Sequence, residues 1–470
     1  MVPSLKIFRR FGFALLLAVP TIAMAQNPAE QAGPAGSGGG APPWAGDLET
    51  RSLLLGDLGG LRPVLERYGI VFGLSELTES LGNPVGGLRP GASIEGLTQA
   101  SVGVDLSKLI GLDGGVFDVS AYQIHGRGLT PTNIGALNAI STIEANAATR
   151  LNELWIQQSF WDGKLDVKIG QQSADLEFIT SEYMDVFVNS GFGWPTLPSL
   201  DLPAGGPAYP LSTPAMRLRA HPTDAVTTLV GLFSGSPARL RPGDPQLING
   251  SGTSFDLSDG YLALGEVQYA LNHGKGDTGL PGTYKLGGWY NSNRFADAFY
   301  DQGATLNPPG VLFGIPKSYR GDWSLYATAD QLVYRPKDDE ANGLALTARV
   351  LGAPSDRNLI TLGLQAGLIY KAPFDRANDE AGLGVEIAQV SRRVRQGEQA
   401  AVIASGIAMP IQSREVVIEA TYQAQIKPWW QLQPDLQVIV NPGAGTADPN
   451  DPNKRVGTAA VLGLRSIVTF

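Results

Sequence analysis

No cysteine occurs in the 470 residues, which excludes a disulfide scaffold and a thiol nucleophile. Histidine is nearly as scarce: His125, His221 and His273 are the only three. No HxxxH or CxxC pattern is present, so the sequence calls for no catalytic metal and no cofactor. Nothing around these histidines resembles a G-x-S-x-G elbow, which argues against an envelope esterase or lipase. Charge is also sparse, at 17% of residues against roughly 25% in soluble domains. What charge there is sums to −9, which makes nucleic acid an unsuitable partner. Finally, no apolar stretch reaches the ~18 residues that a membrane helix requires. Glycine and proline, at 59 and 33 residues, are abundant instead.

The amino-terminal end supplies a compartment. Lys6, Arg9 and Arg10 precede an apolar run from Phe11 to Val19, and Ala23-Met24-Ala25 then offers small residues at the spacing of a signal-peptidase site. Residues 1–25 are read as a cleaved export signal, and residues 26–43 as a Gly, Pro and Ala-rich linker. Within 44–69, Leu61, Val64, Leu65 and Tyr68 fall on one helical face before Gly69, which predicts a short amino-terminal helix. An exported chain with little charge and no membrane helix reads as an all-β protein. Its apolar surface would be dispersed over alternate positions of a transmembrane antiparallel barrel spanning 70–470.

The period of two supports this reading. In LITLGLQAGLIY, Ile360, Leu362, Leu364, Ala366, Leu368 and Tyr370 share one face, and Thr361, Gly363, Gln365 and Gly367 the other. ELWIQQSFWDGKLDVKIGQQ is two alternating arms joined at Asp162-Gly163, a strong hairpin signal. About sixteen such segments are predicted, near 70–80, 92–106, 114–125, 151–160, 164–175, 213–220, 225–234, 258–270, 282–293, 321–335, 342–352, 357–371, 380–394, 411–427, 430–441 and 455–470. Connections after even-numbered segments are mostly short, as in WDGK, HPTD and KPWW. Several after odd ones are long, notably 126–150, 176–212, 235–257 and 294–320. Short turns at one end and long loops at the other are the habit of outer-membrane barrels. Both chain ends then belong on the periplasmic side.

Particular strings carry a family likeness. GDLGGLRPVLERYGI (Gly56–Ile70), LGNPVGGLRPGA (Leu81–Ala92), YQIHGRGL (Tyr122–Leu129), TRLNELWIQQSFWDGKLDVKIGQ (Thr149–Gln171) and FGWPTLPSLDLPAGGPAYPL (Phe192–Leu211) resemble the carbohydrate-selective porin (OprB) family. The resemblance implies a barrel of about sixteen strands in the outer membrane of a Gram-negative bacterium, set in lipid and lipopolysaccharide. It also implies passive, selective diffusion of small, glucose-like sugars. Porins often form homotrimers, although no stretch of this sequence identifies an interface. A closing strand that ends on Phe470 resembles the signal by which the outer-membrane assembly machinery recognises its barrels.

Sugar passage needs aromatic faces for stacking on C–H groups and polar groups for the hydroxyls. In LNELWIQQSF the outward Leu154, Ile156 and Phe160 leave Glu153, Trp155 and Gln157 toward the lumen. Outward Met216 and Leu218 leave Arg217 and Arg219 inward. His125 and Arg127, in IHGRG at a strand end, are candidates for the lumen or rim. Loop 176–212, rich in proline, is the candidate to fold inward and narrow the pore. Trp161, Trp429 and Trp430 flank predicted turns, where an interfacial aromatic girdle belongs. A general or ion-selective porin is the alternative reading.

Overall fold

In the computed structural model, the described residues are 46–274, 276–301, 316–336 and 342–470. The predicted signal and linker lie outside them. Among the described residues, sixteen strands close into one antiparallel barrel. These are β1 (Ile70–Gly87), β2 (Gly91–Asp105), β3 (Gly115–Gly126), β4 (Ala148–Phe160), β5 (Leu165–Gln172), β6 (Thr213–Thr223), β7 (Val226–Ser234), β8 (Tyr261–Leu271), β9 (Gly282–Asp301), β10 (Pro316–Tyr334), β11 (Gly343–Gly352), β12 (Ile360–Lys371), β13 (Glu380–Val390), β14 (Arg414–Lys427), β15 (Trp430–Val440) and the closing strand Gly457–Thr469. Each predicted segment overlaps one of them. No helix among the described residues is long and apolar enough to cross a membrane.

Alternation decides which face meets lipid. Met216, Leu218, Val230, Leu232, Leu346, Val350, Leu364, Leu368, Leu462 and Leu464 are exposed, whereas their strand neighbours Arg217, Leu229, Thr347, Gln365 and Arg465 are buried. The exposed apolar set therefore points outward, and the buried set, mostly polar, inward. The ladder has no free edge, because β1 pairs with the closing strand from Ser75↔Thr469 to Gly87↔Gly457. Closure satisfies the backbone groups that hydrocarbon cannot.

The amino-terminal segment clamps the lower end of that seam. Helix α1 (Leu61–Arg67) ends at Gly69, whose φ of 79° favours glycine. A Cβ there would also lie 2.6 Å from the Asp105 carbonyl oxygen. The face of Leu61, Val64 and Tyr68 stays exposed, while Arg62 is buried. Arg62 Nη1 donates to the Phe72 carbonyl at 2.8 Å and Nη2 to the Phe470 carbonyl at 2.6 Å. Leu54 N–H donates to the Thr469 carbonyl at 2.8 Å. We expect Arg62→Ala to lower barrel stability by roughly 1.5–3 kcal/mol, the range for hydrogen bonds to a charged group. The measurement is the temperature at which heat-modifiability on gels is lost. An unshifted temperature would mean that the clamp contributes nothing.

Two local features differ from the sequence expectation. Asp162-Gly163 lies in a four-residue turn, with Phe160 paired to Leu165 and positive φ at Trp161, Asp162 and Gly163. The segment predicted as strand through 394 stops at Val390, because the Ser391 hydroxyl accepts from Val394 N–H and starts the helix Arg392–Ser405. The short-turn end carries the expected aromatics: Trp161 is exposed, and the Trp429 and Trp430 rings stack 6.1 Å apart.

Candidate functional site

Two long-loop connections fold into the barrel. Loop 173–212 buries Phe178, Met184, Phe187, Phe192, Leu197 and Leu202 inside it. A free loop would leave its backbone amides unpaired, and here acids on the inner wall receive them. Glu266 on β8 accepts from Ile179 N–H (3.1 Å), and Asp330 on β10 from Glu182 N–H (2.9 Å). Glu419 on β14 accepts from Val188 N–H (2.5 Å) and Asn189 N–H (3.0 Å), and Glu386 on β13 from the Thr196 hydroxyl (2.9 Å). Arg349 on β11 catches carbonyls in turn, donating to Ile179, Phe192 and Gly193. Loop 127–147 packs beside it: Glu415 accepts from Leu137 N–H at 2.9 Å, and Arg465 donates to the Thr142 hydroxyl at 2.7 Å.

Against the β4–β6 wall, the first limb of loop 173–212 carries one carboxylate among three cations. Lys168 on β5 contacts Glu177 Oε1. Arg217 Nε lies 2.6 Å from Glu177 Oε2, and Arg219 Nη2 lies 3.1 Å from the same oxygen. Burial would raise the Glu177 carboxyl, but Lys168, Arg217 and Arg219 together hold it well below the usual carboxylate range. The same cluster reaches β4. Arg217 Nη2 donates to Gln157 Oε1 at 2.9 Å, and the Lys168 ammonium sits 4.7 Å from the Trp155 ring centre. Trp155 Nε1 donates to Glu153 Oε2 at 3.0 Å, and Glu153 Oε1 accepts from Ser173 N–H at 3.0 Å, at the root of the loop.

Five of the seven residues singled out in the sequence thus converge: Glu153, Trp155, Gln157, Arg217 and Arg219. They divide in role. Arg217 and Glu153 are buried and hold the loop. Trp155, Gln157 and Arg219 keep partial exposure, as does Gln99 on the inner face of β2, and Glu182 on the loop is exposed. His125 is elsewhere. Its neighbours Tyr122 and Ile124 are buried inward, and its own ring turns outward to Glu76, 3.3 Å away on β1. Arg127 is exposed beyond the end of β3. Sequence reasoning missed Lys168 and Glu177 as one unit, although Lys168 shares the inward parity of Asp166 on the hairpin already identified.

The model of the family described as carbohydrate-selective porin, OprB family, matches residues 89–470. Porin B of Pseudomonas aeruginosa is 29% identical over 412 residues, covering 83% of this chain and 87% of that protein. The putative porin QuiX of Acinetobacter baylyi is 25% identical over 448 residues, covering 91% and 94%. The high-pH structure of Pseudomonas putida OprB superposes with a TM-score of 0.79 at 26% identity, covering 90% of this chain and 99% of that one.

Proposed function

Given that the chain belongs to the carbohydrate-selective porin, OprB family, and is an outer-membrane sugar porin, we propose that it passes glucose-like monosaccharides by passive diffusion along the β4–β6 wall. The observation that carries this reading is the convergence of Trp155, Gln157 and Arg219, all partly exposed, around the Glu177 cluster. The exposed part of the indole offers an apolar surface for sugar C–H faces, and the amide and guanidinium offer hydrogen bonds to hydroxyls. Each residue of the cluster already has a partner within the protein, so contacts with a solute stay exchangeable. That suits a channel, where binding must permit exit.

In this reading the short-turn end, with α1 and Phe470, faces the periplasm, and the long loops face outward among lipopolysaccharide. Export depends on residues 1–25, insertion on recognition of the closing strand, and the assembled state is a homo-oligomer such as a trimer. The local excess of cations over Glu177 favours a second reading, passage of anionic solutes. Liposome swelling separates the two. Wild-type channels should admit glucose faster than a non-sugar of equal size and than a sugar acid, and Trp155→Ala should remove most of that preference. Equal rates for all three solutes with the wild type would leave only a general porin.

A further inference from the structure

At the long-loop end of β9 and β10, two arginines meet on the outward face. Alternation identifies that face. Tyr290 on β9 and Trp323 on β10 are exposed and paired across the ladder, and the Tyr290 ring lies 6.2 Å from that of exposed Tyr261 on β8. These three rings form the aromatic rim expected where a barrel leaves the hydrocarbon. The next residues, Asn291 and Asp322, are paired, buried and inward. Asn293 Nδ2 donates to Asn291 Oδ1 at 3.0 Å, so Asn293 also points inward and Arg294 turns outward. Arg294 is exposed, and so is its partner across the ladder, Arg320. Beyond them Phe295 pairs with Tyr319, whose hydroxyl donates to buried Asp297 at 2.8 Å on the inner side.

Plain alternation would not bring the two together. Counted from Trp323, position 320 has inward parity, but the register shifts between Asp322↔Asn291 and Arg320↔Arg294, where Gly321 alone opposes Ser292 and Asn293. The φ of 82° at Gly321 favours glycine, and a Cβ there would collide with the Tyr290 ring. A bulge of this kind re-aims a side chain. The outcome is costly by itself, because like charges directly opposite on a sheet repel. Among the described residues nothing offsets it. Asp297 accepts from the Tyr319 hydroxyl and from the amides of Phe299 and Tyr300, Asp322 accepts from Asn358, and Asp356 is paired with Arg357. An arginine pair built by a bulge and left uncompensated calls for an anion from outside the chain.

Depth narrows what that anion can be. The arginines stand three residues beyond Trp323 and four beyond Tyr290, roughly 10–13 Å along strands that rise about 3.3 Å per residue. A strand tilt of about 40° reduces this to about 8–10 Å along the membrane normal. That height is above the acyl chains and among the headgroups. Two guanidinium forks side by side suit a phosphate, whose oxygens accept from both. We propose that Arg294 and Arg320 form a binding site for a headgroup phosphate of lipopolysaccharide in the outer leaflet. The proposal rests on the reading that the long loops face outward, and goes beyond it by assigning residues and a ligand group. The bound phosphate offsets the repulsion between the arginines and ties the β9–β10 wall to the lipid.

Native mass spectrometry of the full barrel in detergent, titrated with lipid A that carries both of its phosphates, tests it. The wild type should bind lipid A, and Arg294→Ala or Arg320→Ala should weaken binding about tenfold, the loss that goes with charge-assisted hydrogen bonds. Arg294→Glu should abolish binding and raise the temperature at which the lipid-free barrel loses heat-modifiability, because attraction replaces repulsion across the ladder. Arg239→Ala, which removes a cation already paired with Asp256 at the same end, should leave binding unchanged. No binding by the wild type, or equal binding by the wild type and both alanine variants, would overturn the site. Undiminished binding of dephosphorylated lipid A, equal binding of phosphatidylglycerol, or displacement of lipid A by an equal concentration of inorganic phosphate would overturn lipopolysaccharide as its ligand. Orientation is read separately with Arg241→Cys, a lone thiol at an exposed position of a chain that has none. Labelling by an impermeant maleimide on intact cells puts the long loops outside. Labelled cells whose barrel binds no lipid A refute the site alone, and unlabelled cells refute the outward reading of the loops.

Discussion

Glu177→Gln is expected to convert the channel into one that prefers anions and to abolish most of its discrimination among sugars. Lys168, Arg217 and Arg219 share this one carboxylate, and Arg217 is almost wholly enclosed. Removing one member of a buried ion cluster leaves the others uncompensated, at roughly 3–5 kcal/mol. The chain relieves that cost by admitting water or anions beside β4–β6, and the first limb of loop 173–212 loses its tie to the wall. In a potassium chloride gradient the reversal potential should move toward chloride, and glucose block of single-channel current should weaken about tenfold, equivalent to 1.4 kcal/mol. An unchanged reversal potential together with unchanged block would show that the cluster is remote from the permeation path. The wild-type pairing should also resist acid. A carboxyl held below its ordinary range stabilises the fold above that range and loses the contribution only as pH falls through the depressed value. Conductance of the wild type at about pH 4 should therefore match that at neutral pH as far as this group is concerned, since an ordinary carboxyl titrates near 4.3.

The barrel was legible because lipid imposes a rule that every strand must obey. In β12 the outward Leu362, Leu364 and Leu368 against inward Gln365 is the requirement of hydrocarbon written into the chain, and the β14–β15 hairpin repeats it. The inner face is under no comparable rule. In sequence Glu386 and Glu419 are polar residues of an alternating strand and nothing more, and in the structure they receive amides of loop 173–212. Only the folded path of that loop reveals the role. Parity failed for His125 for a different reason. SELTES places carboxylates at Glu76 and Glu79, three residues apart and on opposite faces of β1, one toward His125 and the other toward Arg465. Where polar residues occupy both faces, alternation has no contrast to report. The helix Arg392–Ser405 escaped notice because its onset depends on a serine hydroxyl and not on an apolar stripe.

Arg349 carries the second large effect. It is 1% exposed, and its guanidinium donates to the carbonyls of Ile179, Phe192 and Gly193, so it joins the descending limb of loop 173–212 to the limb that returns. Asp330, which accepts from the loop at the Ser181 hydroxyl (2.6 Å) and Glu182 N–H, lies on the neighbouring β10. Arg349→Leu keeps much of the side-chain volume and removes all of these donors, leaving three carbonyls inside the barrel without partners and taking one cation from the nearby acids. Each unsatisfied buried group costs about 1–3 kcal/mol, which exceeds what the local packing of Met184 and Phe192 recovers. The loop, rather than the barrel, should yield, because the ladder pairs the Arg349 backbone with Thr328 and Gln365 and makes no use of its side chain. The expected outcome is a barrel with unchanged heat-modifiability whose single-channel current is larger and noisier and whose glucose block is lost. Arg349→Lys, which restores one point charge without the planar fork, should recover only part of the block. A quiet, wild-type current from Arg349→Leu would mean that the wall acids alone position the loop. In that case Glu386→Gln and Glu419→Gln together should produce the noise that Arg349→Leu did not.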